Sequence, residues 1–178
     1  DCGACTVVIA EPDGQGAITY KAVDSCLMFL PMLHGKQLIT VEDLESNGEG
    51  HAVQRAMVEC NGTQCGYCTP GFVMSLFALT KQQSRPEQKE LEDALTGNLC
   101  RCTGYRPILE AAKRCVDSSE PDLFSKMSAD TLKRLNGLDV STTLSVSVEN
   151  QQYHKPSSLQ EALELLAVNP GLIPFRSE

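Results

Sequence analysis

The chain has 178 residues, with 15 basic against 23 acidic side chains, a formal net charge of −8, and 42% hydrophobic residues. That length holds one or two small domains plus a tail, and with no Trp and 5% aromatics the cores must be built mainly from aliphatic side chains. The acidic balance leaves no basic stripe to displace phosphate counterions, which excludes a nucleic-acid surface, and no apolar run approaches the ~20 residues of a membrane span.

The chain opens at Asp1-Cys2 without Met, so a fragment or processed product is expected, and the lack of a signal peptide says nothing about destination. Cys5 to Ala10 reads as a short strand, Glu11 to Gly16 as a turn, and Ala17 to Val23 as the returning strand. Gln37 to Val41 supplies one more. Residues 1–42 thus look like the C-terminal part of a small β-rich domain whose first strands lie before Asp1.

From His51 the period becomes helical. Val53, Ala56, Met57 and Cys60 share one face, and Asn61-Gly62 is the stop. Thr69-Pro70 opens a second helix with Val73, Leu76, Phe77 and Thr80 on its inner stripe. Ser84 with Glu87 predicts a capping box for a third, carrying Leu91, Ala94 and Leu95, and Gly97-Asn98 ends it. Pro107 starts a fourth, with Ile108, Ala111, Ala112 and Cys115 or Val116 inward. Four short amphipathic helices over 43–118 imply a compact four-helix bundle, making the fold class α+β. Residues 119–152 read as a linker with a little helix near Ala129 to Leu135. Ser158 and Glu161 cap a last helix over Leu159, Leu163 and Leu166, which needs a further domain to pack against.

Nine cysteines are an odd count, and most fall in tight pairs, which is metal-ligand spacing for a reducing compartment rather than a secreted disulfide framework. Cys65-x2-Cys68 and Cys100-x-Cys102 each precede a predicted helix start, where free N–H groups favour thiolate. Gly66 lets the backbone curl, and the 31 residues between Cys68 and Cys100 leave room for two antiparallel helices that bring the pairs together. Four such thiolates suit a [2Fe–2S] centre. Zinc accepts the same ligands, so a zinc-stabilised interaction domain without a redox role is the alternative. The C-x-C pair and helical surroundings favour iron and sulfur.

Upstream, Cys2, Cys5 and Cys26 supply the last three ligands of a plant-type ferredoxin pattern, whose first cysteine falls five residues before Cys2. Without that ligand the second centre is expected to be labile or absent. Cys60 and Cys115 lie on apolar stripes and are read as core. His34, His51 and His154 have no spacing partner and suit surface or helix-start roles, and Asp13 and Asp43 suit turn and helix-start roles. No nucleophile constellation or paired-carboxylate site is present in the pattern.

Gln64-Cys65-Gly66-Tyr67-Cys68-Thr69-Pro70-Gly71 and Gly97-Asn98-Leu99-Cys100-Arg101-Cys102-Thr103-Gly104-Tyr105-Arg106-Pro107-Ile108 closely resemble the paired signatures of the xanthine dehydrogenase/aldehyde oxidase family of molybdenum hydroxylases. Asp1-Cys2-Gly3-Ala4-Cys5-Thr6-Val7-Val8 resembles the loop of that family's ferredoxin domain. The resemblance implies a truncated β-grasp domain followed by a helical [2Fe–2S]-binding domain. It assigns Cys65, Cys68, Cys100 and Cys102 to a first relay, fed by a molybdenum centre, and Cys2, Cys5 and Cys26 to a second, leading to FAD.

By the same resemblance, Gln64 and the backbone of Cys102 approach the molybdopterin of a partner subunit or domain. Tyr153 to Leu163 resembles the opening of the family's FAD domain, as in the small subunit of a bacterial xanthine dehydrogenase with fused clusters and flavin domain. The glycine-rich flavin loop expected after Pro170-Gly171 does not appear in Leu172 to Glu178, so this stretch alone is not expected to hold FAD. The resemblance also implies a cytoplasmic location. Xanthine, aldehyde, nicotinate and other N-heterocycle hydroxylases share these motifs, and the tail tilts the choice to xanthine.

Overall fold

The structure, a computed structural model, describes residues 2–82, 86–116 and 121–175. β1 (Thr6–Pro12) is the centre of a three-stranded antiparallel sheet, flanked by β2 (Ile18–Asp24) and β3 (Gln37–Ile39) in the order β2-β1-β3. The β1–β2 loop is closed by Asp13, whose Oδ1 accepts the N–H groups of Gln15 and Ala17 at 2.7 and 2.9 Å, the turn role expected of it. Val8, Ile9 and Ala10 are buried in succession, so the central strand is covered on both faces.

Four helices follow: α1 (Ala52–Glu59), α2 (Thr69–Gln82), α3 (Gln88–Leu95) and α4 (Arg106–Val116). α4 packs on α1, α2 and α3, while α2 also lies along β1 and β2. That double contact corrects one expectation. α2 has no solvent stripe from Gly71 to Leu79, because helices and sheet enclose it, and it is buried all round. Tyr20, Val8 and Ile39 from the sheet and Phe72, Leu76, Phe77 and Ile108 from the helices form one continuous core. The boundary between 42 and 43 divides the sequence pattern but not this core.

The Ser84 half of the expected capping box lies outside the described residues. In the structure the Glu90 carboxylate accepts the Glu87 N–H at 2.7 Å and closes the start of α3. Downstream, the stretch read as linker is structured. α5 (Leu123–Asn136) runs for 14 residues, and β4 (Leu144–Val148) pairs antiparallel with β5 (Gln151–Lys155). The longer helix has a physical cause: Asp122 caps it by accepting the Ser125 N–H at 2.8 Å, and Phe124 packs edge-on against Phe77 with ring centroids 5.1 Å apart. α6 (Leu159–Val168) starts at Ser158, whose hydroxyl accepts the Glu161 N–H, and leaves Leu159 and Leu163 exposed. Among the described residues, no helix is long and apolar enough to cross a membrane.

Candidate metal centres

The Cys65–Cys68 loop is set by how α1 ends and α2 begins. Asn61 takes a positive φ of 55°, and the Gly62 N–H closes on the Met57 carbonyl at 2.8 Å. Gly66, at φ 85°, then turns the chain back so that the Thr69 N–H reaches the Gly66 carbonyl at 3.2 Å. The Cys68 carbonyl accepts the Phe72 N–H, which seats Cys68 at the mouth of α2. Cys68 is buried, while Gln64 and Cys65 beside it are exposed. The second loop is built alike. Tyr105, at φ 67°, swings its hydroxyl back to accept the Cys100 N–H at 3.0 Å, and α4 starts one residue later. Cys100 is buried and Cys102 exposed.

The two loops bring their thiols together across the motifs. Cys65 faces Cys102, and Cys68 faces Cys100, near enough for each thiol to shift its neighbour's ionisation. Burial and the facing Cys100 push the Cys68 thiol up to about 11. Burial also opposes ionisation of Cys100, but the Thr103 hydroxyl and N–H outweigh it and bring that thiol down to about 7. The Tyr67 N–H lowers Cys65, and the neighbouring Cys65 raises Cys102. Among the described residues, no three His, Cys, Asp or Glu side chains gather as a single ion would require. Four sulfurs approaching two by two, with N–H and O–H donors aimed at them, are a donor set that fits a two-iron centre.

The upstream cysteines converge as well. Cys5 Sγ lies 3.2 Å from Cys26 Sγ, and hydrogen bonds from the Cys26 backbone and side chain lower the Cys5 thiol. Ser25 fixes this approach by donating its N–H and hydroxyl to the Cys5 carbonyl. Cys2 is exposed on the same loop, four residues before Thr6, whose N–H and hydroxyl both close on the Gly3 carbonyl between them. The Cys2 carbonyl accepts the Leu99 N–H at 2.8 Å, one residue before Cys100. The two cysteine sets are therefore adjacent.

Residues 40–113 match the family described as the [2Fe-2S] binding domain. A xanthine dehydrogenase of Drosophila subobscura is 36% identical over 209 aligned residues, covering 96% of this chain and 16% of that one. Aldehyde oxidase 1 of Cavia porcellus is 50% identical over 120 residues, covering 66% of this chain and 9% of that one. Among solved structures, quinoline 2-oxidoreductase from Pseudomonas putida 86 aligns with a TM-score of 0.55 at 28% identity, over 75% of this chain and 70% of that one. This chain belongs to the xanthine dehydrogenase/aldehyde oxidase family. It spans 16% or less of these two curated relatives.

Around this iron–sulfur domain, Cys60, Cys115, His51 and Asp43 fall where the sequence put them, whereas His154, expected at the surface or at a helix start, lies in β5 with its Nε2 buried. Cys60 ends α1 half-buried against the core, and Cys115 is buried on α4 with its thiol 3.2 Å from the Ala112 carbonyl. His51 caps α1, its Nδ1 accepting the Val53 N–H. Asp43 accepts the Thr40 N–H at 2.7 Å where a short helical turn begins. Three residues escaped the sequence reading. Thr103 donates toward Cys100, Asn98 bridges the two cysteine loops, and Asp122 joins α5 to His51 and Lys81. For Thr103 a signal existed, a hydroxyl three residues after Cys100 at a helix start. Asn98 and Asp122 act on partners far away in sequence, which no local pattern marks.

Proposed function

We propose that this chain relays electrons through two [2Fe–2S] centres, from a molybdopterin site on a partner domain or subunit towards FAD. Cys65, Cys68, Cys100 and Cys102 would hold the first centre, and Cys2, Cys5 and Cys26 would supply three ligands of the second. When bound, such a centre takes up one electron and passes it on without bond breaking. The chain's residues do the rest. Exposed Cys65, Cys102 and Gln64 form the rim that would face the pterin-bearing partner. Buried Cys68 and Cys100 turn the same site inward, and the Leu99-to-Cys2 hydrogen bond joins it to the upstream loop. Leu27, Phe29 and Leu30, exposed beside Cys26, give the far end an apolar face for a flavin domain.

In this reading residues 1–42 are the end of a β-grasp ferredoxin domain, 43–118 the helical cluster domain, 119–152 the connection, and 153–178 the opening of the flavin domain. The exposed Leu159 and Leu163 of α6 support that opening, since they present an apolar stripe for a partner. Cysteines at ligand spacing suit a reducing compartment, here the cytoplasm. The hydroxylation itself, of xanthine or of a related aldehyde or N-heterocycle, would lie in the molybdenum partner.

One observation carries the proposal: the cross-motif pairing of Cys65 with Cys102 and of Cys68 with Cys100. Reconstitution with ferrous iron and sulfide tests it. The expected result is a visible absorption band and, after reduction, an electron paramagnetic resonance (EPR) signal of a [2Fe–2S] centre. Protein that stays colourless and EPR-silent with iron supplied, or that is isolated with zinc on four sulfurs, would overturn it.

A further inference from the structure

Thr103 Oγ1 lies 3.1 Å from Cys100 Sγ, and the Thr103 N–H points at the same sulfur from 3.4 Å. The Tyr105 N–H donates to Thr103 Oγ1 at 3.2 Å. That contact occupies the hydroxyl as an acceptor and leaves its single hydrogen for the sulfur. A metal-bound thiolate carries no hydrogen, so in the loaded site the bond can run only from threonine to cysteine. The Cys100 N–H is spent elsewhere, on the Tyr105 hydroxyl. The counterpart threonine behaves differently. Thr69, which follows the other cysteine pair, gives its hydroxyl to Thr63 at 2.7 Å.

We propose that Thr103 is a positioning residue that raises the reduction potential of the bundle centre by donating its hydroxyl hydrogen to Cys100 Sγ. The proposal rests on the reading that Cys100 ligates a [2Fe–2S] centre. Its physical basis is charge. Reduction adds one electron to the centre and moves no proton at Thr103, so the reduced state is the more negative one. A donor on a ligand sulfur therefore stabilises the reduced state more than the oxidised state, and hydrogen bonds to the sulfurs are among the factors that set such potentials. The bond also lies at the buried cysteine, where the surroundings screen charge least.

The test is an EPR-monitored redox titration of the cluster-loaded protein, with dithionite as reductant, for wild type, Thr103→Val, Thr103→Ala and Thr103→Ser. Val and Ala remove the hydroxyl, and Ser keeps it. At a fixed potential the reduced-to-oxidised ratio of the bundle centre should fall about tenfold in the Val and Ala variants, a shift of about 59 mV for a one-electron couple. The serine variant should titrate like wild type. An unchanged midpoint in Val or Ala, at wild-type signal intensity, would overturn the role of Thr103 alone. So would a serine variant that shifts as far as valine. Loss of the centre in both Val and Ala, with retention in Ser, would replace tuning by a purely structural role. Absence of the signal in wild type would overturn the centre and the proposal with it.

Discussion

The side-chain amide of Asn98 donates to the carbonyl of Gly3 at 3.0 Å, across 95 residues of sequence, and ties the loop of Cys2 and Cys5 to the segment that enters Cys100. The same amide donates to Thr6 Oγ1 at 3.0 Å, and its oxygen accepts the Ser75 hydroxyl at 2.6 Å. Asn98 is 3% exposed, so water cannot replace its side chain at these contacts. Asn98→Ala should cost about 2 kcal/mol, since it removes three buried hydrogen bonds and leaves the Ser75 hydroxyl without its partner. Denaturant unfolding measures this. A loss under about 0.5 kcal/mol, the scale of a surface change, would contradict the bridge.

Gly71 sits in the first turn of α2 against the same junction. A Cβ there would run into the Gly3 carbonyl and crowd the Asn98 amide. In an exposed helix interior, glycine to alanine gains about 1 kcal/mol. Here Gly71→Ala should reverse the sign and cost about 2 kcal/mol through overpacking against backbone. Thermal unfolding of the variant decides it, and a raised Tm would show that the junction is looser than the structure has it.

Asp122 is held by His51 Nε2 at 2.9 Å and by Lys81, whose ammonium also faces the rings of Tyr20, Phe77 and Phe124. Burial would raise the Asp122 carboxyl, but hydrogen bonds from His51, Lys81 and the Ser125 N–H hold it well below the usual carboxylate range. Burial lowers Lys81, and Asp122 opposes that shift. A carboxyl depressed in the folded state adds stability that is complete above its unfolded value of about 4 and is lost as pH falls below it. Asp122→Asn should therefore cost about 2–3 kcal/mol at pH 7, and the gap to wild type should narrow between about pH 4 and pH 2. A gap constant with pH would remove the charge from the account.

The sequence carried the site further than it carried the fold around it. Cys65, Cys68, Cys100 and Cys102 were legible because ligand spacing and helix starts are local, and so were the turn at Asp13 and the caps at Ser158 and His51. The strands at Thr6–Pro12 and Ile18–Asp24 fell within two residues of their expected bounds. What escaped depends on distant partners. The all-round burial of α2 comes from the sheet packing beside the bundle, and α5 exceeds its short local helical signal because Asp122 is anchored 71 residues away, at His51. Serine and threonine around Ser141 to Asn150 suggested a linker, yet β4 and β5 pair there because each strand satisfies the other's backbone.

The central claim is that Cys65, Cys68, Cys100 and Cys102 hold one [2Fe–2S] centre, and cysteine substitution followed by EPR spin quantitation tests it most directly. With iron and sulfide supplied, Cys100→Ser and Cys65→Ser should each abolish the bundle signal, while Cys60→Ser, at the cysteine that ends α1 and packs against the core, should leave it at full intensity. A signal that survives Cys100→Ser and Cys65→Ser unchanged, or that disappears with Cys60→Ser, would contradict the account.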